Sequence, residues 1–394
     1  MGISILGTHH TKFGRLNKTL YDLIIESGRG AIEDAGIEAK DIDSIWVGNL
    51  SGGGFNNQEH IAPFTMNIHK DLRFTPATHV ENACASGSAA IECAKQAIES
   101  GNSKIALVIG VEKMNDLDTK GVTKVLAMSS YWPDEGSKGI TFPGLFAEYA
   151  KGYMKHYNYS LDKLRAILAK ISAKNHTNAV ENPLAQMPLK ITAEEILNKP
   201  DEKNPIVYDP LRLFDCSLVT DGAAALVLTT SEIAKSIKNE VVEIAALSHT
   251  TDYLSIFKRS NYELTAGKLA VKKAFKKAGI TLDDLDFAEV HDCFTINELL
   301  SYEALGIAPD GEGYRALDEG IVYPEGKLPV NLSGGLKAKG HPVGATGVSM
   351  AVLATRQLLG KAIGIQAKDA EIGLTFNVGG SAASNYALVF KRTK

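Results

Sequence analysis

Short apolar runs alternate along the chain with longer amphipathic segments. Runs rich in β-branched and aliphatic residues, such as "IWVGNL" (45–50), "IALVIGV" (105–111) and "AALVLT" (224–229), predict buried strands. The segments between such runs have the spacing of amphipathic helices. Strands that alternate with helices are typical of α/β proteins, so the pattern predicts a mixed, largely parallel sheet covered by helices.

The same pattern occurs twice. "AIEDAGIEAKDIDSIWVGN" (31–49) matches "AFKKAGITLDDLDFAEVHD" (274–292) at an offset of about 243 residues. In both copies an amphipathic helix ends at an Ala-Gly pair, an acidic turn follows, and an apolar strand comes next. This repeat predicts two related halves.

Two looser matches follow in the same order. "CASGSAAI" from Cys84 resembles "GATGVSMA" from Gly344, and "KIALVIGVE" (104–112) resembles "EIGLTFNVG" (371–379). Three matched pairs in one order favour a duplicated architecture, with the halves packed face to face around a pseudo-twofold axis. The strand ends of both halves would then meet near that axis, where ligands of α/β proteins collect.

A stretch without a repeat partner interrupts the first half. Residues 115–213 are rich in aromatic, Lys and Pro residues, and we expect an inserted loop domain that caps the first half and covers the substrate. The predicted division is therefore 1–114 with 214–240 for the N-terminal half and 241–394 for the C-terminal half. Bulky residues in "YWP" (131–133) and "ITFPGLF" (140–146) would shorten a pocket beneath this insertion.

Composition excludes several classes of protein. The chain has 394 residues, 44% of them hydrophobic, with a formal net charge of −4, so it has no bulk positive field for nucleic acid. No apolar run reaches the roughly 18 residues of a membrane span. The four cysteines lack paired spacing, which argues against a disulfide framework and indicates a reducing, cytoplasmic location.

Cys84 is the first candidate for chemistry. It lies among small residues directly before a predicted helix, whose positive N-terminal end lowers the pKa of a thiol. Small neighbours also leave backbone N–H groups free for an oxyanion hole. The alternative is a buried cysteine with a packing role, which is what we expect for Cys93 and Cys216.

Three more candidates lie on glycine-rich or polar corners after predicted strands. "GHPVGATG" (340–347) presents His341, a possible general base, although a single histidine is more often structural. "HDCF" presents His291 and Cys293, and because no other Cys or His pair has ligand spacing, we expect no metal site. We expect the tandem His9-His10 in a solvated loop. Together these corners favour covalent acyl transfer coupled to proton transfer.

These motifs resemble those of the thiolase superfamily. "NACASGSAA" (82–90) is similar to the family's nucleophile segment, and "GGLKAKGHPVGATG" (334–347) to its C-terminal histidine signature. "HDCFTINELLSYEALG" (291–306) resembles the sterol-carrier-protein branch, and the whole chain resembles archaeal and bacterial acetyl-CoA acetyltransferases of that branch. The resemblance implies duplicated βαβαβαββ halves that form a five-layered αβαβα core with an inserted loop domain.

The resemblance also implies roles for the candidate residues. His341 would activate Cys84, whose thiolate takes the acyl group, with the backbone N–H groups of Cys84 and Gly379 as its oxyanion hole. His291 would hold the enolate oxygen of the second thioester, and Cys293 would be the second acid/base. Many thiolases place that second cysteine near the C-terminus, where this chain has Asn377 in "NVGG".

The implied activity is acyl transfer between acyl-CoA and acetyl-CoA or CoA, as acetoacetyl-CoA formation or 3-ketoacyl-CoA thiolysis. Coenzyme A enters as part of the substrates, and the resemblance implies no metal or redox cofactor. It implies a homodimer or homotetramer, and some relatives form a complex with a 3-hydroxy-3-methylglutaryl-CoA synthase and a small OB-fold protein. A related C-acyltransferase or ketoacyl synthase with another acceptor, or a non-catalytic scaffold subunit, are the alternatives.

Overall fold

The computed structural model describes residues 2–393, which form one nine-stranded sheet, a small two-stranded sheet and helices around them. The strands β1 to β11 are Ile3–His10, Ser44–Gly48, Ala77–Val80, Ile105–Glu112, Ile206–Tyr208, Leu211–Arg212, Gly222–Thr230, Val241–Thr251, Phe287–Val290, Ile372–Gly379 and Ser384–Thr393. The α-helices α1 to α12 are Leu20–Ala35, Gly52–Asn56, Ser86–Glu99, Thr119–Ala127, Phe142–Tyr157, Leu161–Asn178, Ala193–Leu197, Ser231–Ile237, Thr265–Ala278, Thr295–Leu305, Arg315–Asp318 and Thr346–Leu358. No helix between residues 2 and 393 has the length and apolar character needed to cross a bilayer.

The large sheet is two related sheets joined at an edge. Its order is β3-β2-β4-β7-β1-β8-β11-β10-β9, and β1 and β8 share only the register pairs Ser4↔Glu243 and Ile5↔Val242. In the second half, Val330 forms a parallel bridge to Ala288 of β9. In the first half, β3 pairs in parallel with β2 at the equivalent position. The predicted duplication is therefore confirmed.

The sheet is less parallel than predicted. Only β2 with β3, β2 with β4, and β9 with β10 run parallel, and the other five pairings described within this nine-stranded sheet are antiparallel. Strand β7 in the first half and strand β11 in the second half each run antiparallel to both of their neighbours. The apolar runs could not reveal this, because a strand buried on both faces has the same composition in either direction.

Alternate residues of each strand face different cores. In β4, Leu107 and Ile109 pack with α1 in one apolar cluster, whereas Ala106 and Val108 face α3 and α12 in another. A third cluster lies beneath α9 and α10 on the far side of the second half. Helices outside, sheets next and helices in the centre make the five layers that were predicted.

The central helices α3 and α12 contact each other at one glycine on each helix. A Cβ on Gly87 would lie 2.8 Å from the Val348 backbone nitrogen, and one on Gly347 would lie 2.3 Å from the Ser88 backbone nitrogen. Such distances leave no room for a side chain on either helix. Because both glycines lie in the first turn of their helix, the close approach brings the two helix N-termini to one place.

The insertion packs mainly against the second half. Helices α5 and α6 share an apolar cluster with α10, the Tyr153 hydroxyl donates a hydrogen bond of 2.6 Å to Glu303, and Phe146 stacks on Phe294. The expectation that the insertion caps the first half was therefore wrong. Its aromatic side chains find their apolar partners on α10, although α4 lies against α2 of the first half.

Candidate active site

Cys84 lies on a sharp turn between β3 and α3. Ala83 has a φ of 51°, in the left-handed region that non-glycine residues rarely occupy. The Ser86 hydroxyl stabilises the turn, since it donates to the Ala83 carbonyl (2.6 Å) and accepts from the Asn82 N–H (2.9 Å). The turn places the Cys84 thiol at the wall of a cavity, and the backbone N–H of Gly380 lowers the pKa of that thiol.

The Cys84 thiol is uncharged in the free protein. We expected the helix N-terminus to lower its pKa, but burial raises that pKa to about 12, and Glu112 raises it further. The cost of removing a thiolate from water is larger than the stabilisation that the nearby backbone N–H groups give to it. A nucleophilic Cys84 therefore needs a base within reach.

His341 has the geometry of such a base. Its Nδ1 lies 2.7 Å from the Thr346 hydroxyl, and that hydroxyl donates its only proton to the Pro342 carbonyl (3.0 Å). The Thr346 oxygen must then accept, so Nδ1 of His341 carries the proton and Nε2 keeps a free lone pair. Burial and the Lys339 ammonium lower the pKa of His341 to about 3, so the imidazole is neutral.

His291 has the opposite tautomer. The Asn377 amide accepts from the Ser88 hydroxyl at 2.7 Å through Oδ1, so its Nδ2 faces Nδ1 of His291 at 2.9 Å and donates to it. Nε2 of His291 therefore carries the proton, and this buried N–H has no hydrogen-bond partner among residues 2–393. Burial holds the pKa of His291 well below its usual value. The side chain is therefore a neutral imidazole whose buried N–H can donate a hydrogen bond to an acceptor in the cavity.

The structure brings Cys84, His291 and His341 together. Their sulfur and ring nitrogens lie within 4.8 Å of one another, and the two imidazole planes are perpendicular, with centroids 5.0 Å apart. One thiol and two imidazoles are also ligand types for zinc, although a structural zinc site has four ligands. The arrangement joins a thiol, an imidazole with a free lone pair and an imidazole with a free N–H at one point.

Cys293 faces the same cavity but lies outside that cluster. The cavity has a volume of ≈ 290 Å³, and its wall includes Cys84, His341 and Cys216 besides Cys293. Burial holds the pKa of Cys293 well above its ordinary value. Cys216 is buried as expected, and its thiol donates to the Arg212 carbonyl.

The insertion supplies much of the apolar wall. Phe142 and Pro143 of "ITFPGLF" line the cavity, together with Val122 and Leu126 of α4. The role of the insertion in covering a substrate stays a prediction. Trp132 of "YWP" instead lines a separate surface groove, so this second segment does not narrow the pocket as we expected.

Gly379 ends β10, where a side-chain Cβ would lie 2.6 Å from the Asn82 carbonyl, and the role of its N–H in an oxyanion hole stays a prediction. One expectation about burial was wrong. His10 is not in a solvated loop: it lies buried at the end of β1 and contacts Ser349. An apolar strand that ends in two polar residues gives no signal of which one is buried.

The sequence analysis missed the residues that set the two tautomers. Asn377 stands where many thiolases have cysteine, and Thr346 aligns with Ser86 in the repeat, but neither observation predicted a contact with a histidine. Both hold a histidine through one hydrogen bond. Their position at the end of β10 and the start of α12, beside the candidate corners, was the available signal.

Comparison with known proteins agrees with this geometry. Residues 3–232 match the family model "Thiolase, N-terminal domain", and residues 248–392 match "Thiolase C-terminal domain-like". The chain belongs to the thiolase family. An acetyl-CoA acetyltransferase of Methanothermobacter thermautotrophicus is 41% identical over 99% of both chains, and sterol carrier protein 2 of Homo sapiens is 32% identical over 96% of this chain and 70% of its own length.

Solved structures of thiolase-family fold extend the comparison. An acetyl-CoA acetyltransferase from Syntrophomonas wolfei superposes with a TM-score of 0.72 over 99% of this chain and 98% of its own, at 21% identity. A chain titled Ltp2-ChsH2(DUF35) aldolase gives a TM-score of 0.82 over 99% of this chain and 97% of its own, at 20% identity. At these identities the likeness concerns the fold.

Proposed function

We propose that this thiolase-family acyltransferase cleaves or forms 3-ketoacyl-CoA through an acyl thioester on Cys84. The observation that carries the proposal is the pair of opposite histidine tautomers beside a buried, uncharged thiol. One imidazole can accept the thiol proton while the other donates to a developing oxyanion. Full-length acetyl-CoA acetyltransferase relatives at 41% identity support it.

In the cleavage direction, the first step breaks the carbon–carbon bond of a 3-ketoacyl-CoA. The Cys84 proton passes to Nε2 of His341 as the sulfur attacks the keto carbon, and the backbone N–H groups of Cys84 and Gly379 stabilise the oxyanion. The acetyl-CoA enolate leaves with its oxygen on the N–H of His291. The Cys293 thiol protonates the enolate carbon, and the proton on His341 then restores that thiol.

The second step releases the acyl group. Free CoA gives its thiol proton to His341, and its sulfur attacks the Cys84 thioester. The Cys84 sulfur leaves and takes the proton back from His341, so each thiol is regenerated and acyl-CoA is formed. The reverse sequence joins two acetyl-CoA molecules. In this account CoA is a substrate, and no step requires a metal.

The cavity favours short acyl groups. A volume of ≈ 290 Å³ is at the lower end of the roughly 300–1,000 Å³ of ligand pockets, and aromatic and aliphatic side chains line it. We therefore propose acetoacetyl-CoA as the preferred 3-ketoacyl substrate. A kinetic series from acetoacetyl-CoA to long-chain 3-ketoacyl-CoA, with kcat/KM falling as the chain lengthens, would support this; a rise would contradict it.

The test of the activity is the loss of acetoacetyl-CoA in the presence of free CoA. Wild type should produce acetyl-CoA, and Cys84→Ala should reduce kcat by on the order of 10³-fold or more, since no other group can carry the acyl chain. Cys93→Ala is the matched control, because Cys93 lies on α3, the helix that directly follows Cys84, and the variant should keep full activity. Equal rates for Cys84→Ala and wild type would contradict the proposal.

We also propose a homo-oligomer. β3 is the outermost strand of the sheet, its residues are only half-buried, and a sheet edge without a partner favours pairing with another chain. Sedimentation at several concentrations tests this, and a monomer throughout would contradict it. The cytoplasmic location and the complex with a 3-hydroxy-3-methylglutaryl-CoA synthase and an OB-fold protein stay predictions.

A further inference from the structure

The position of the His341 ring depends on more than the hydrogen bond of its side chain. Thr346 fixes the imidazole at Nδ1, but a ring fixed at one atom moves with the backbone that carries it. That backbone is a corner between Gly340, which has a φ of 123°, and Pro342, which has no N–H to donate. The corner therefore needs partners from elsewhere in the chain to hold it in place.

Thr220 holds this corner at its centre. The backbone N–H of His341 donates to the Thr220 hydroxyl at 3.0 Å, and the Thr220 side chain is fully buried. A Cβ on Gly340 would lie 2.8 Å from Cγ2 of Thr220, so the methyl group packs closely against the corner as well. These contacts join the segment before β7 directly to the residue that we propose as the base.

Gln186 of the insertion orients the Thr220 hydroxyl. Its Nε2 donates to the Val219 carbonyl (3.1 Å), which leaves Oε1 to accept from the Thr220 hydroxyl at 2.6 Å. The single hydroxyl proton is thereby used, so the Thr220 oxygen faces the His341 N–H as an acceptor. The backbone N–H of Gln186 also donates to the Lys339 carbonyl (2.9 Å), which bonds the insertion to the chain just before the corner.

Thr220 is itself held on both sides along the chain. The next residue, Asp221, is fully buried, and its carboxylate accepts from the backbone N–H of Met114 at 2.8 Å. On the other side, the backbone N–H of Ser217 donates to the Cys293 carbonyl at 2.8 Å. The Thr220 hydroxyl is therefore presented to the His341 corner from a fixed position.

We propose that Thr220 is a positioning residue for the His341 imidazole, and that Gln186 orients the Thr220 hydroxyl for this role. The inference rests on the proposed function for its consequence, since Nε2 of His341 must reach the Cys84 proton. A buried N–H that loses its acceptor is costly, so the corner would move to find another partner. Because proton transfer requires hydrogen-bond distance, a shift of about 1 Å lowers a rate by on the order of 10²-fold.

The experiment measures the reactivity of Cys84 in the absence of any CoA substrate. Each variant is treated with iodoacetamide at neutral pH, and alkylation of the Cys84 peptide is followed by mass spectrometry. Thr220→Val keeps the shape of the side chain but removes the acceptor, and we expect the alkylation rate to fall by about tenfold to a hundredfold. Thr220→Ser keeps the hydroxyl and should stay within about twofold of the wild-type rate.

Thr229→Val is the matched control. Thr229 is also fully buried and lies near the end of β7, whereas Thr220 lies just before the start of that strand. The Thr229 hydroxyl donates to the Lys104 carbonyl at 2.8 Å, away from the cavity. The same loss of one buried hydrogen bond should therefore leave the alkylation rate of Cys84 at its wild-type value.

A double substitution separates positioning from support of the fold. If Thr220 acts through His341, Thr220→Val should lower the alkylation rate no further in a His341→Ala background. A residue that only supports the fold would lower the rate by the same factor in both backgrounds. That result would overturn the inference, as would a wild-type rate in Thr220→Val, a Thr220→Ser rate as low as that of Thr220→Val, or an equal loss in Thr229→Val.

Gln186→Met carries the same test in case Thr220→Val does not fold. Gln186 is only half-buried, and Met keeps the length of its side chain. We expect a fall in the alkylation rate of about threefold to tenfold that is absent in the His341→Ala background, and a wild-type rate would overturn the inference.

A crystal structure of Thr220→Val or Gln186→Met reports the imidazole directly. The His341 ring should lie more than about 0.5 Å from its wild-type position, and an unmoved ring would overturn the inference. Neither the structure nor the alkylation requires turnover. Failure of the wild-type protein to cleave acetoacetyl-CoA would therefore count against the proposed function alone.

Discussion

Two corners at matching positions of the repeat carry different residues. In the first half the corner before α3 holds Cys84, whose thiol faces the cavity. In the second half the corner before α12 holds Gly344 at the matching position. A Cβ there would lie 2.6 Å from both the Asn49 α-carbon and the Val111 carbonyl. The first corner presents a thiol to the cavity, and the second allows close packing against the first half.

At the corners after β2 and β9 the difference is in the opposite direction: the second half presents side chains and the first half is closely packed. By the repeat, Gly48 corresponds to His291 and Leu50 to Cys293. Gly48 has no space for a side chain, because its Cβ would lie 2.6 Å from the Ser86 carbonyl. The second half therefore presents polar side chains where the first half is packed. Each half supplies groups that the other lacks, and the glycine contacts between them keep those groups in one cavity.

The largest expected effect comes from removal of the group that the second half contributes to Cys84. His341→Ala should lower kcat/KM for acetoacetyl-CoA cleavage by about 10²–10⁴-fold, because the thiol then has no base. His176→Ala is the control, since burial lowers the pKa of His176 to about 3 as well, but it bonds Met187 away from the cavity. Similar losses in both variants would show that packing, and not proton transfer, explains the effect.

A second prediction reverses the tautomer of His291. In Asn377→Asp a carboxylate accepts from Nδ1 of His291, so Nε2 loses its proton and no longer donates to an oxyanion. We expect kcat to fall by about 10²–10³-fold, as for loss of one oxyanion-hole donor. Ser88→Ala, which removes only the donor that orients the Asn377 amide, should have a smaller effect. Wild-type kcat in Asn377→Asp would contradict the tautomer assignment.

A third prediction concerns the packed corner. Gly344→Ala forces a methyl group against the Asn49 backbone and should lower the free energy of unfolding by about 1–3 kcal/mol, measured by denaturant titration. Cys84→Ala, at the matching position of the repeat, should change activity far more than stability. If Gly344→Ala unfolds at the wild-type denaturant midpoint, the second corner is not as closely packed as the contacts of Gly344 indicate.

The repeat made the fold and the convergence of Cys84 with His341 predictable from the sequence. Apolar runs could not give strand direction, so the excess of antiparallel pairings came only from the structure. The tautomers depend on single hydrogen bonds from Thr346 and Asn377, which leave no trace in composition or spacing. The raised pKa of Cys84 likewise reflects depth of burial, which a helix start does not reveal.

The central claim is that Cys84 carries the acyl group. The direct test is rapid quenching of the protein with acetoacetyl-CoA in the absence of free CoA, followed by peptide mass spectrometry of all four cysteines. We predict an acetyl thioester on Cys84 that added CoA removes, and none on Cys93, Cys216 or Cys293. An acetyl group on Cys293 with Cys84 unmodified would contradict the account.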